Sequence, residues 1–214
     1  MKYGESAFDI LYLVFAIVMG CMILRRRRDS VGRLMGTATL ILGCGDAFHL
    51  VPRVLYYFAD SDFTAALGIG KLVTSLTMTV FYVLMYRLWL KLYREKEDRK
   101  LTLGVYALAI LRGILCAFPQ NGWLENSSGW VWGLIRNVPF VALGCLIVVL
   151  YWRRREELPR FRFVWLLVTL SFLFYIPVAV GAGLVPILGM LMLPKTICYM
   201  ALIWIFWRHA QAKD

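Results

Sequence analysis

The residues best equipped for chemistry in this 214-residue chain are ionisable side chains set inside long apolar runs. The densest group is Gly45-Asp46-Ala47-Phe48-His49-Leu50-Val51-Pro52-Arg53. Asp46, His49 and Arg53 are spaced i, i+3 and i+7, which sets a carboxylate, an imidazole and a guanidinium on one face of a helix. Pro52 lacks an N–H, so the carbonyl of Phe48 loses its helical donor and a kink is expected there. Lys71, Arg112, Arg136 and Lys195 stand in four other apolar runs, with Asn137 beside Arg136 and Tyr175 in a further one. The cations Arg53, Lys71, Arg112, Arg136 and Lys195 therefore face a single deep carboxylate, Asp46, and Asp9 near the end of the first run is the other acid within the spans. Burying unpaired cations is expensive, and arginine hardly ever escapes by losing its proton. An anionic ligand would supply the missing charge: a carboxylate or phosphate suits the paired donors of arginine, with the lysines acting as point charges.

The elements that must position these groups are membrane spans. The chain is 61% hydrophobic and 17% charged with mean hydropathy +0.68, too apolar for a soluble domain of this size. A helix needs about 20 residues to cross roughly 30 Å of hydrocarbon. Seven stretches meet that requirement, at 6–24, 34–57, 65–86, 101–118, 130–152, 163–183 and 187–207, and they imply one all-α seven-helix membrane domain over 1–214. Arginines and lysines cluster at 25–33, 87–100, 153–162 and 208–213, whereas the alternate loops carry Asp60, Asp62 and Glu125. The positive-inside rule then places the N-terminus outside and the C-terminus in the cytoplasm, in a cell membrane. Topology accounts for most of the net charge of +11, so no nucleic-acid partner is implied; the basic loops suit anionic headgroups equally well. Arg25–Arg28 come after the first apolar run, an order that argues for a retained helix and against a cleaved leader.

Depth groups the polar residues into tiers. Counting 1.5 Å per residue from the basic end of each span, Asp46, Arg112, Tyr175 and Lys195 lie about 18 to 20 Å in, and His49, Lys71 and Arg136 about 24 to 25 Å. Arg53 is higher, at about 30 Å by the same rise. All lie in the outer half, which predicts a polar cavity opening outward above an apolar floor.

Cys21, Cys44, Cys116, Cys145 and Cys198 form no closely spaced pair and read as small apolar packing residues. With His49 and His209 as the only histidines, neither a metal site nor a haem-like cofactor is expected. The structural alternative is a bundle whose polar groups satisfy one another, with Asp46 contacting Arg53 or His49 and Arg53 and Lys71 reaching the interface. An intramembrane hydrolase or lipid-modifying enzyme would use Asp46 and His49 to activate water, with Arg53 or Lys195 holding an oxyanion or leaving group. No nucleophile elbow, HExxH or phosphate loop supports that chemistry, and Gly68-x-Gly70 merely opens a span.

Two resemblances bear on function. Lysines after Gly70 and Pro194 each follow a basic cluster, a span and a short loop, so spans one to three are similar to spans five to seven around a linking fourth. This 3+1+3 parallel repeat resembles the plan of sugar-efflux transporters and of the retrieval receptor for C-terminal ER peptides, over the whole chain but without a family motif. The proline-glutamine pair of one branch of those proteins is missing from the spans; Pro119-Gln120 lies in a loop. A lysine in the seventh span with an external N-terminus also resembles the opsins, in which it binds retinal, although span three has no acidic counterion and Asp46 would have to substitute. The expected function is transport of a small anionic or amphiphilic ligand through the outer-half cavity. The alternatives are a ligand-binding or sensory protein, the hydrolase, and the opsin-like pigment. Oligomeric state is not encoded in these patterns.

Overall fold

The computed structural model describes residues 2–59, 61–127, 129–181 and 185–212. Asp60 and Lys213, assigned above to opposite loops, lie outside the described residues. The described residues form seven long helices: α1 (Lys2–Arg26), α2 (Ser30–Phe58), α3 (Thr64–Leu92), α4 (Arg99–Ala117), α5 (Trp130–Arg153), α6 (Val164–Gly181) and α7 (Met192–Gln211). All seven segments are long and apolar enough to cross a membrane. Many outward-facing side chains, including Ile10, Leu11, Val14, Val18, Ile110, Ile114 and Leu173, are large and apolar, which suits a lipid surround and not water.

Local signals set the ends. Asp29 caps α2 by accepting from the Gly32 N–H at 2.9 Å, and Asp98 caps α4 by accepting from the Lys100 N–H at 2.9 Å. Pro119 opens a 3-10 turn, Pro119–Asn121, and Gly122 follows at φ 54°, a left-handed conformation that glycine adopts at no steric cost. The seventh span begins differently from expectation. A 3-10 segment, Pro186–Leu191, precedes α7, and Pro194 falls in the first turn of α7, where its missing N–H removes no helical bond. The third helix runs to Leu92, six residues past the span boundary drawn at 86, because hydropathy falls off before helicity does.

The helices pack as a ring in chain order. Each neighbours the next, and α7 closes against α1 and, more lightly, α2; α3 also touches α5 across the bundle. Small residues allow close approach on the α1–α2 side, where Gly43 meets Ala16 and Gly36 meets Leu24. The space beside Gly20, Gly36 and Gly144 is taken by Leu40, Leu24 and the Phe172 ring. The cysteines also divide. Cys116 and Cys198 are buried packing residues, while Cys21, Cys44 and Cys145 face outward.

One end of the bundle collects the start of α1, the end of α2, the start of α3 and the α4–α5 connection, joined by Glu5–Arg53, Lys71–Asn126 and Arg136–Asn121. The other, basic end is held by Arg154–Glu95, Arg87–Glu97 and the Arg27 bond to the His209 carbonyl. Below, "the N-terminal end" means the first of these.

Candidate functional site

The face of α2 that carries the densest motif is shared between two neighbours. Asp46 turns to α1 and accepts a hydrogen bond from the Tyr12 hydroxyl at 2.7 Å. Arg53, two turns further on, also turns to α1, where it pairs with Glu5; the Tyr57 hydroxyl donates to the other oxygen of Glu5 at 3.0 Å. His49 leans the other way. Its backbone abuts Gly70 of α3, and its imidazole lies within electrostatic range of Lys71 and Lys195, with Nδ1 lacking a hydrogen-bond partner. The Phe48 carbonyl, which Pro52 deprives of its helical donor, points at the same Gly70. Only a residue without Cβ fits there.

Two expectations change at this point. The direct partner of Asp46 is Tyr12, which the sequence reading did not single out, and neither His49 nor Arg53 fills that role; Lys195 lies within electrostatic range. Arg53 is matched by Glu5, an acid left outside the first span because hydropathy placed the boundary at residue 6, whereas α1 begins at Lys2. The cation excess is therefore smaller than five to one or two: Arg53, Lys71, Arg112, Arg136 and Lys195 share their surroundings with Glu5, Asp9 and Asp46. A signal for Tyr12 existed, since it follows Asp9 by three residues and both fall on the buried stripe of α1.

The connection after α4 folds back over the N-terminal end. Buried Asn121 donates to the carbonyls of Leu115 and Phe118 at 2.8 Å each, satisfying groups that the end of α4 leaves open, and accepts from Arg136 at 2.8 Å. The Arg136 guanidinium also stacks 4.4 Å from the Trp123 ring, whose indole N–H donates to the Cys116 carbonyl at 2.8 Å. The Lys71 ammonium donates to Asn126 at 2.7 Å. These loop asparagines were not anticipated, because a polar residue in a loop carries no signal until the loop is seen to pack inward.

Deeper in, Arg112 is 2% exposed, and its guanidinium lies 3.5 Å from the centre of the Phe140 ring. Its Nε and Nη1 have no hydrogen-bond partner. Lys195 is buried against the rings of Tyr175 at 4.5 Å and Tyr199 at 5.7 Å, within electrostatic range of both Asp46 and Arg112. Asn137 accepts from the Tyr175 hydroxyl at 2.8 Å and donates to the Gly133 carbonyl at 2.8 Å. Beneath these groups Phe81, Tyr82, Phe140, Phe172 and Tyr199 form a floor of edge-to-face and tilted rings, pinned between α3 and α7 by a Tyr82–Tyr199 hydroxyl contact of 3.1 Å. Of the nine residues singled out from the sequence, Tyr175 contacts Asn137 and Lys195 and shares the Phe140 ring with Arg112, whereas Asp46, Arg53, Lys71 and Arg136 bond to Tyr12, Glu5, Asn126 and Asn121.

Two clefts lie at the basic end. One, of about 260 Å³, is lined by Arg160, Trp204, Ile205 and Arg208, and the other, of about 470 Å³, by Glu97, Arg99, Thr102, Leu103 and Tyr106. The polar groups at the N-terminal end are packed against each other, so a ligand there would replace existing contacts such as the stacking on Arg112 and Lys195. Among the described residues no group of three or more histidine, cysteine or acidic side chains converges as a metal site would require.

Fold and composition together define a polytopic seven-helix membrane protein of the general transport or receptor type. Comparison with known proteins narrows this no further: no family model matches the chain, and no curated protein or solved structure shows significant similarity to it.

Proposed function

We propose that the protein is an integral membrane transporter of a small anionic or amphiphilic ligand, bound at the N-terminal end of the bundle by Arg112, Arg136 and Lys195, with Asp46, His49, Arg53, Lys71, Asn137 and Tyr175 around them. One observation carries the reading. Arg112 is a buried guanidinium with two nitrogens lacking acceptors, beside an aromatic ring and within electrostatic range of two further cations, Arg136 and Lys195. A permanently charged group at that depth is stable only with compensation, and a carboxylate or phosphate oxygen offers the acceptors that the protein withholds. The aromatic surfaces of Phe140 and Tyr175 would take the apolar part of an amphiphile.

The proposal includes an orientation. The basic loops face the cytoplasm, the N-terminus and the site face outward, and the protein sits in the plasma membrane. The parallel repeat of α1–α3 and α5–α7 belongs to the same reading, supported by Lys71 on α3 and Lys195 on α7, each of which follows a basic cluster, a span and a short connection. Cysteines introduced at Asp62 and Glu125 in a background lacking the native five should react with an impermeant reagent from outside, and those at Arg28, Asp98 and Glu157 should not. The reverse pattern refutes the orientation.

The ligand test uses acetate, octanoate and inorganic phosphate, with acetamide and octanamide as neutral analogues, in binding and in proteoliposome flux. A hydrogen bond to a charged partner is worth roughly 1.5 to 3 kcal/mol. Arg112→Gln and Lys195→Gln, at matched stability, should therefore weaken anion binding by about tenfold to a hundredfold. Equal behaviour of charged and neutral probes in all three proteins refutes the site. A sensory role is the second reading, favoured by the Tyr82–Tyr199 contact that closes the floor between α3 and α7; saturable binding with no flux would select it.

A further inference from the structure

The cleft of about 260 Å³ at the basic end shares no residue with the site just described, and its lining carries one sign of charge: Arg160 and Arg208 stand with Trp204 and Ile205, and no acid joins them. Arg27, Arg87, Arg154, Arg155 and Arg162, at the same end, all have carboxylate partners. The acids nearest to Arg160 in sequence are already engaged, Glu156 by Arg155 and Arg162 and Glu157 by Arg154. Among the described residues no carboxylate pairs with Arg160 or Arg208, and both are exposed. Packing beneath them fixes where they stand. Pro159 opens a 3-10 turn, Pro159–Phe161, between α5 and α6, and the Phe161 ring is fully buried, 6.2 Å from the Phe206 ring and 5.1 Å from the His209 ring between centres. Arg160, between the proline and this anchor, is thereby held against the last turns of α7.

The same cleft borders the lipid-facing side of α7. Ile197, Trp204 and Arg208 fall at i, i+7 and i+11, on one face of the helix, and Ile197 and Trp204 are half exposed. An apolar stripe that ends in a tryptophan and then an arginine passes from hydrocarbon to headgroup level. Two unpaired guanidiniums present paired donors that match phosphate oxygens. A zwitterionic headgroup would bring a further cation into a cleft that already holds two, whereas an anionic one lowers the local charge. The volume is below the roughly 300 Å³ at which pockets for whole small molecules begin, so a headgroup fits and acyl chains must lie outside it. We propose that this cleft binds the phosphate of an anionic phospholipid, with the headgroup between Arg160 and Arg208 and the chains along the Ile197–Trp204 face of α7.

The test is native mass spectrometry of the detergent-solubilised protein titrated with dioleoyl phosphatidylglycerol, dioleoyl phosphatidylcholine, and glycerol phosphate as the soluble source of the same group. Wild type should take up one phosphatidylglycerol in preference to phosphatidylcholine, and glycerol phosphate at equal concentration should neither bind as well nor displace it. Each arginine at a membrane surface contributes on the order of 1 kcal/mol to holding an anionic lipid, so Arg160→Gln and Arg208→Gln should each weaken the adduct about fivefold and the double variant about thirtyfold. Arg160→Lys and Arg208→Lys keep the charge and should recover most of the loss, which separates binding from any disturbance of the fold. Arg99→Gln, in the other cleft, removes the same charge and should bind like wild type. Equal uptake of the two lipids, an Arg99→Gln loss as large as those of Arg160→Gln and Arg208→Gln, or unchanged binding in the double variant overturns the proposal; glycerol phosphate binding as tightly as the lipid overturns the lipid as occupant. The anion assays at the N-terminal end probe other residues, so the two readings fall separately.

Discussion

Replacing Gly70 with alanine tests whether α2 and α3 are in backbone contact where the site is built. A Cβ at this position would lie 2.2 Å from the Phe48 carbonyl oxygen and 2.7 Å from the His49 Cα, whereas real Cβ atoms essentially never come under 3.0 Å. Both obstacles are main chain, so no side chain can rotate away, and one helix must move by nearly an ångström. Overpacking of this kind costs about 1 to 3 kcal/mol. Alanine gives back up to about 1 kcal/mol through helix propensity, and because both obstacles are main chain the overpacking cost is taken at the upper end of its range, leaving a net loss of about 2 kcal/mol. For a chain of this size each kcal/mol lowers the midpoint by roughly 2 to 4 °C. Gly104→Ala is the control, because a Cβ there meets nothing within 4 Å. Thermal unfolding in lipid nanodiscs, followed by tryptophan fluorescence, should show Gly70→Ala melting several degrees below wild type and Gly104→Ala at or above it. Coincident melts for the two variants would refute the close approach, and with it the physical reason for His49 and Lys71 meeting across the α2–α3 seam.

Tyr12→Phe removes the donor to a part-buried Asp46 and should cost about 1 to 3 kcal/mol, while Asp46→Asn, whose amide oxygen still accepts, should cost less; reversed order in denaturation assays counts against the Tyr12–Asp46 bond. Asp29→Ala should cost about 1 kcal/mol as a lost cap. Burial pushes the Asp29 carboxyl up, but bonds from Arg27 and the Gly32 N–H hold it below its ordinary 3.8; its contribution should be complete above that value and fade as pH falls through the lower folded one, a slope that the alanine variant should lack. A double-mutant cycle on Arg53→Gln and Glu5→Gln should give a coupling of about 0.5 to 1 kcal/mol, the range of a partly exposed pair, and a value near zero would mean that Arg53 merely reaches the interface.

The spans were legible because a bilayer imposes about 20 apolar residues on each crossing helix, and few other constraints write so long a signal. Grouping Asp46, Arg112 and Lys195 at one level followed from the same regular rise. The partners were less legible. Glu5 fell outside the hydropathy window although the helix continues past it, and Asn121 and Asn126 act only because the loop after α4 folds inward around Gly122, whose φ of 54° is a tertiary consequence as much as a local one. Tyr12 was hidden for another reason. Aromatic residues are common in spans, and nothing in its own spacing says that an aspartate on the next helix stands opposite. The stripe Asp46, His49 and Arg53, spaced i, i+3 and i+7, is wide enough to serve two neighbouring helices, so Asp46 and Arg53 turn to α1 while His49 lies against α3.

The charges in this bundle are divided unevenly, and Lys195 stands at the division. Acids lie on α1 and α2, where Glu5 pairs with Arg53 and Asp46 accepts from Tyr12; the cations of α4 and α5, Arg112 and Arg136, lie against rings and an amide. Lys195 on α7 feels both groups, attracted by Asp46 and repelled by Arg112. Its ammonium lies over the Tyr175 and Tyr199 rings, a desolvated aromatic surface that favours a cation. An anion beside Arg112 reverses the sign of the second term, so that the same lysine is drawn from both sides and α7 loses its preference for α2. The contact most exposed to such a shift is the Tyr82–Tyr199 pair one turn below Lys195, which joins α7 to α3 and closes the floor. On the proposed reading, ligand charge and opening of the floor are thus connected through about one turn of α7, from Lys195 to Tyr199, and Tyr199→Phe should change how binding is coupled to flux without removing a group that touches the anion.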